Sequence, residues 1–368
     1  MLSRGKGRPR AALTAVVTLV ATALVLVPGC SVAPEPKSTV GEGEAAGAVF
    51  EPSSLAWAPS ALEAHLPGIV GWRQVSEAAP GQVVVLSEES SPAVVWEGPS
   101  DVVSSLVSVD AKLGMLAVTV RPADGRAFEE TTYLCHPSGT VVAIKAPEGY
   151  EPPGSLVFLG NGSALALATR FGAEAIESTI GVVSIDGSWS QVALTGELPE
   201  FQYVERLFPV PGTDAFAVVL KTAGTPANRD DEALVLARYE NGALRSFTPP
   251  FRDDCLPNAV PLWNTTGVVF VRSWRTDAQG QAIADLVEAV FSNGQWAERV
   301  LASGGGMTLG IESGTVAVPL PDGKVLVRTA GSFEEGEPTA LVAVESKGAL
   351  AKTGLDVTGT TSLLWMEK

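Results

Sequence analysis

Beyond about residue 50 the chain is a succession of short apolar or alternating runs, each bounded by Gly, Pro, Asn, Asp or Ser. Runs of four to eight residues with such boundaries predict strands, not helices. They also recur in a fixed order. A turn ending in glycine ("HPSG" to Gly139, "IDG" to Gly187, "ENG" to Gly242, "SNG" to Gly294, "SKG" to Gly348) returns at gaps of 48, 55, 52 and 54 residues. Each lies between two runs, as "IGVVSIDG" leads into "SWSQVALTG". Asn-Gly and Asp-Gly in that setting predict tight hairpins, because the turn requires positive φ.

A second series precedes each hairpin. Apolar runs close on a cation: "LAVTV" before Arg121, "LALAT" before Arg170, "FAVVL" before Lys221, "VVFV" before Arg272 and "KVLV" before Arg328, at gaps of 49, 51, 51 and 56 residues. Each is led into by a further run and a turn, such as "SLVFLGNGS" or "AVPLPDG". A unit of about fifty residues therefore predicts four strands, here a, b, c and d. A four-stranded sheet of this kind cannot bury both its faces without neighbours, which is the requirement of a propeller blade. A long β-sandwich is the competing architecture, but it has no reason to repeat an internal turn at a fixed period.

The two chain ends supply a sixth unit. "IVGWRQV", "QVVVLSEE" and "AVVWEG" lack an a strand before them, and the C-terminal "TSLLWM" lacks a partner. Joining them leaves no open sheet edge. The expected fold is all-β: a six-bladed β-propeller of four-stranded antiparallel blades, closed by the C-terminal strand joining the N-terminal blade. In the unit at about 307–354 the run "MTLGIES" is surplus to the pattern.

The pieces "VVSIDGSWSQVALTG" and "VPLPDGKVLVRT" resemble the repeats of TolB-type six-bladed propellers, in which a Pro-Asp-Gly-Lys turn precedes the b strand. Pro321, Asp322, Gly323 and Lys324 match that turn; "GNGS", "PGTD" and "NTTG" depart from it. The resemblance extends over 54–368 and implies a fold, not an activity, since propellers host unrelated functions. The Trp-Asp dipeptides and aspartate boxes of other propeller families are absent from the sequence.

The N-terminus follows a different pattern. Arg4, Lys6, Arg8 and Arg10 precede an uncharged run from Ala11 to Val27, then Pro28, Gly29 and Cys30. This reads as a secretion signal, with an uncleaved signal anchor as the competing reading. Val27-Pro28-Gly29-Cys30 resembles a lipoprotein lipobox, which implies a signal peptide over 1–29 and a lipidated Cys30. Residues 30–53, rich in Pro, Ser, Gly and Glu, read as a tether, and the propeller is expected over 54–368. The expected location is exported and lipid-anchored at the extracytoplasmic face of the membrane.

Charge narrows the partners. The chain carries 25 basic and 41 acidic side chains, net −16, and loss of residues 1–29 leaves net −20. Nucleic acid is therefore not an expected partner; the membrane, through the lipid on Cys30, and a protein or polysaccharide are. Strands alternate in direction, so a-to-b and c-to-d turns share one face and the longer b-to-c and d-to-a loops share the other. Loops on a rigid scaffold carry function, which makes the long-loop face the candidate binding face. It carries the carboxylates Asp230, Asp231 and Glu232 and the aromatics Tyr150, Tyr203, Phe251 and Trp274. The b-strand cations Arg121, Arg170, Lys221, Arg272 and Arg328 reach the same side, either as a ring for an anion or as ion-pair partners of the acidic loops.

Enzyme chemistry is thinly supplied. His65 and His136 are the two histidines, and both read as structural. The segment "ANRDDEA" lacks the alternate-ligand spacing of a calcium loop, and no metal or cofactor is expected. Cys135, on a c strand, and Cys255, in a long-face loop two blades on, are predicted to stay thiols, since that separation exceeds disulfide reach. Non-catalytic binding of a protein or envelope polymer is the expected function. A polysaccharide hydrolase or lyase using loop carboxylates and a structural envelope assembly factor are the alternatives.

Overall fold

The computed structural model describes residues 50–367, apart from 75–78, 89, 101, 123–129, 174, 223–231, 277–281, 306–316, 329–339 and 345–349. The expected signal peptide and Cys30, and the surplus run at 307–313, lie outside the described residues. A 3-10 turn (Pro52–Leu55) and a short helix α1 (Pro59–Glu63) come first, then β1 (Gly68–Arg73), β2 (Gln82–Leu86) and β3 (Ala93–Glu97). Blade 1 is β4 (Val102–Asp110), β5 (Met115–Pro122), β6 (Thr131–Cys135) and β7 (Val141–Ala143). Blade 2 is β8 (Ser155–Phe158), β9 (Ala164–Phe171), β10 (Ile176–Val183) and β11 (Trp189–Thr195). Blade 3 is β12 (Phe201–Pro209), β13 (Ala215–Thr222), β14 (Glu232–Glu240) and β15 (Ala243–Ser246), with a short β16 (Phe251–Arg252) beside β14. Blade 4 is β17 (Val260–Pro261), β18 (Gly267–Thr276), β19 (Ala282–Ser292) and β20 (Gln295–Gly305); blade 5 is β21 (Ala317–Pro319), β22 (Val325–Arg328), β23 (Ala340–Val344) and β24 (Leu350–Asp356).

The last strand, β25 (Thr360–Met366), pairs antiparallel with β1 and gives the order β25-β1-β2-β3. Ile69 faces Trp365 and Gly71 faces Leu363 across this seam. The sixth blade is thus assembled from both chain ends, and the fold is a six-bladed β-propeller. The hairpin chemistry agrees with the sequence: Asn241 and Gly242 have φ of 53° and 78°, and Asn293 and Gly294 have 52° and 79°. Both central residues of each turn lie in the left-handed region, as the twist of a two-residue hairpin requires.

Packing follows from two-faced strands. Along β5, Leu116, Val118 and Val120 pack towards blade 6 while Ala117 packs towards blade 2. Along β9, Leu165 and Leu167 face blade 3 and Ala164 and Ala166 face blade 1. The same division continues round the ring, so that apolar clusters fill the gaps between blades 3 and 4, 4 and 5, 5 and 6, and 6 and 1. Each fully buried Leu or Val contributes roughly 1.5–3 kcal/mol relative to exposure.

Two features were not legible as repeats. The outermost strands β11 and β15 pair in parallel, Leu194 opposite Leu244, and join blades 2 and 3 into one sheet. This satisfies two edges that would otherwise face solvent. Ahead of β1, the Trp57 indole Nε1 donates to the Gly114 carbonyl in the β4–β5 turn at 2.9 Å, which fastens the entering segment to the short-turn end of blade 1. Among the described residues no helix is long and apolar enough to cross a membrane.

The inner strands β4, β8, β12, β17, β21 and β25 together line an axial cavity of about 740 Å³. Its walls include the turn residues Lys112, Gly212, Thr213 and Trp263, so it opens towards the short-turn face.

The closing seam is tightly specified at one backbone position. A Cβ on Gly71 would lie 2.7 Å from Thr360 Cγ2 and 2.9 Å from Leu363 Cδ2. Gly71→Val is therefore expected to lower stability by about 1–3 kcal/mol, the cost of overpacking, read as a lower melting temperature in thermal denaturation. Unchanged melting would show that β25 does not press on β1 as the register requires.

Candidate functional site

The five b-strand cations lie at the long-loop ends of their strands, and the structure gives them different partners. Arg170 Nη2 contacts Glu177 Oε2 at 2.5 Å across β9 and β10, with its guanidinium carbon 5.2 Å from the centre of the Tyr150 ring. Tyr150 and Arg170 thus form an aromatic-cationic pair on one face of β9, and Phe171, the next residue, is 61% exposed on the other face at the same strand end. Lys221 Nζ contacts Glu232 Oε1 at 2.6 Å. Glu232 is 4% exposed as the first residue of β14, which makes it the anchor of a strand end. Tyr203 pairs with Lys221 in the ladder, and its side chain is half-buried beside this ion pair.

Arg272 makes the most connected contact. Its Nε donates to Asp253 Oδ2 at 2.7 Å and its Nη2 to Glu298 Oε2 at 2.8 Å. Burial pushes the Asp253 carboxyl above the usual carboxylate range, despite the bonds it accepts from the Cys255 N–H and from Arg272. Burial would push Arg272 down, but hydrogen bonds and charge from Glu298 and Asp253 hold it above its ordinary value. Arg328 donates from Nη1 to the Thr360 carbonyl, tying blade 5 to the closing strand, and burial lowers its pKa.

Arg121 differs from the others in facing a cavity, and like Arg328 it lacks a carboxylate partner among the described residues. Among the described residues it makes no ion pair. It lines a cavity of about 320 Å³ with Trp72, Gln74, Ser104, Ser105, Thr119, Glu130 and Ser362, at the junction of blades 6 and 1 on the long-loop side. Thr119 Oγ1 of its lining shares a hydrogen bond of 2.7 Å with Thr132 Oγ1, and Ser104, 3% exposed, has a hydroxyl with no partner among the described residues. The volume falls within the roughly 300–1,000 Å³ of small-molecule pockets.

The other sequence candidates are placed as follows. Phe251 is 6% exposed and stacks on Trp296 at 5.2 Å and Phe270 at 6.1 Å, so it belongs to the packing between blades 3 and 4. Trp274 lies in β18. Asp230 and Asp231 lie outside the described residues. Phe171 was missed by the sequence reasoning; an aromatic directly after a b-strand cation, at the position where the strand leaves the sheet, is the signal that could have found it.

Asp253, Asp254 and Cys255 bring ligand atoms within 4.8 Å of one another. The Arg272 guanidinium already sits on Asp253, so the donor set is arranged for an ion pair and not for a cation. Cys135 and Cys255 are both thiols and are not bridged to one another, as the strand map predicted. Burial raises the Cys135 thiol to about 12, which leaves it inert at neutral pH.

Removing Arg272 tests the buried pair. Arg272→Met leaves Asp253 buried without its cation and is expected to lower stability by roughly 2–4 kcal/mol at neutral pH. A carboxyl raised on folding adds stability that is present below its unfolded value of about 3.9 and is lost as pH rises through its folded value. The deficit of the variant relative to the native chain should therefore shrink between about pH 7 and pH 4 in urea denaturation; a deficit that grows on acidification would contradict the assignment.

No family model matches this chain, and no curated protein matches it. Solved structures give remote likenesses. Virginiamycin B lyase from Staphylococcus aureus is 11% identical with a TM-score of 0.37, covering 78% of this chain and 84% of that one. A hypothetical selenium-binding protein from Sulfolobus tokodaii is 8% identical with a TM-score of 0.44, covering 82% and 77%. A protein from Lactobacillus plantarum is 12% identical with a TM-score of 0.38, covering 81% and 98%. Similarity at this level carries no argument about activity, and the fold assignment stands on the strand pairing itself.

Proposed function

We propose that this chain is an exported lipoprotein, anchored through Cys30, whose propeller binds an envelope polymer or protein through its long-loop face without doing chemistry on it. The observation that carries this reading is the Arg121 cavity. It offers a guanidinium with no ion-pair partner among the described residues, beside hydroxyl and amide groups from Ser104, Ser105, Ser362 and Gln74, a set suited to hydrogen-bonding a polar chain. Tyr150 with Arg170, and Phe171 beside them, supply aromatic contacts at the long-loop face. Trp57 is fastened at the short-turn end of blade 1, on the side away from the long-loop face.

A polysaccharide hydrolase would need two carboxyl groups roughly 5–9.5 Å apart about the scissile bond. Among the described residues lining the Arg121 cavity, Glu130 is the one carboxylate. That favours recognition over hydrolysis at this site.

Two measurements test the proposal. Cys30→Ser should move the chain from the membrane fraction to the soluble exported fraction, and the native chain should carry lipid mass on Cys30; a native chain without it refutes the anchor. Pull-down from envelope extract with the full chain should recover a polysaccharide or protein whose binding drops about tenfold in Arg121→Gln and in a Phe171→Ala, Arg170→Gln double variant, the loss of one charged contact or one aromatic contact. Undiminished recovery by both variants would remove the long-loop face from consideration.

A further inference from the structure

The axial cavity is separate from the long-loop rim and contains a cation of its own. Arg206, on the inner strand β12, lines it. Its Nη1 donates to the Pro257 carbonyl, and its guanidinium carbon lies 5.1 Å from the centre of the Phe208 ring. Among the described residues no carboxylate lies within ion-pair distance of it. The neighbouring Glu205 supports its charge at longer range, yet burial outweighs this and pushes the Arg206 pKa down.

A desolvated charge is ordinarily paired, because an uncompensated one is costly in a low-dielectric interior. Guanidinium has five N–H donors in a planar fork, and one carbonyl and one ring face do not occupy them. The surrounding wall is mixed, with Leu156, Val157, Phe208, Val260, Val318 and Leu363 supplying its apolar part. Hydroxyls of Ser108 and Ser155 also line the cavity, whereas Asp110, Lys112 and Glu367 belong to its short-turn end. A chamber that sets apolar side chains beside a convergent guanidinium and a few hydroxyls has the pattern of a small-molecule site.

We propose that the axial cavity binds a small organic anion, with a carboxylate or phosphate head on Arg206 and an apolar body packed against the inner-strand side chains. The ligand enters from the short-turn face. It supplies a contacting counter-charge, which no carboxylate among the described residues places within ion-pair distance of Arg206, and the fork of donors favours a planar carboxylate or a phosphate over a neutral polar group. This site is independent of the long-loop reading, and either can fail without the other.

The test uses the full chain and three probes of one size: benzoate, phenyl phosphate and neutral benzyl alcohol. Binding is read by titration calorimetry and by thermal melting at constant ionic strength. At least one anion should bind about tenfold or more tighter than the alcohol and raise the melting temperature; which of the two anions binds tighter identifies the head group. Arg206→Met should keep a cooperative melt without ligand and lose the anion preference, while Arg121→Gln keeps it. Arg206→Lys, which retains charge but not the fork, should fall between them and serves if the Met variant does not fold. Equal binding of alcohol and anions, no binding of either anion at millimolar concentration, or an unchanged preference in both Arg206 variants would overturn the proposal.

Discussion

The blades depend on one another because each sheet is apolar on both faces. Val118 and Ala117 are adjacent on β5 and point into different clusters, one shared with blade 6 and the other with blade 2. A single blade would leave both such faces in water, and an open row of blades would leave one at each end. Burial at about 25 cal/mol per Å² makes either outcome unfavourable, so the arrangement that satisfies every face is a closed ring. The seam between β1 and β25 provides it, by hydrogen bonds along a full strand and by Leu363, packed with Ile69 and Val84. Bulk is also unevenly divided: leucine on one face of β9 and alanine on the other lets neighbouring sheets approach at different depths.

Closure dictates where polar chemistry can go. The faces between blades admit little but hydrocarbon, so charges collect at strand ends and along the axis. At the b-strand ends the chain answers its own cations with carboxylates, Arg170 with Glu177, Lys221 with Glu232, and Arg272 with Asp253 and Glu298. These pairs hold neighbouring strands and a connecting loop together at the rim. Arg328 bonds the Thr360 carbonyl instead; the functional argument rests on Arg121 and Arg206, which each line a cavity and have no carboxylate partner among the described residues.

Much of the fold was legible because a hairpin leaves a local signature. Asn241-Gly242 and Asn293-Gly294 announce positive φ, and the run before each announces the strand, so the period and the closure by "TSLLWM" could be read directly. The site was less legible for two physical reasons. Residues next to a loop in sequence can belong to a strand or to the core: Glu232 begins β14, and Phe251 is buried among Phe270 and Trp296. Register irregularities also break the rule of alternation. On β12 the ladder shifts between Val204 and Arg206, so that Val204 and Leu207, three apart, both pack between blades 2 and 3, while Arg206 turns to the axis. Strict alternation would have put Arg206 on the face of Val204 and hidden the cavity's cation; a bulge re-aims a side chain in this way without marking the sequence.

The two cavities share part of their walls, and this couples them to closure. Leu106 of β4 and Ser362 of β25 line both the Arg121 pocket and the axial cavity. β25 is also the strand whose pairing with β1 completes the ring. A ligand that binds only the closed form, in either cavity, must stabilise the closed form by mass action. The converse holds as well: any loosening of β25 removes one wall from both sites at once. The C-terminal strand is therefore common to ring closure and to the walls of both cavities, while the cations they present, Arg121 and Arg206, remain distinct.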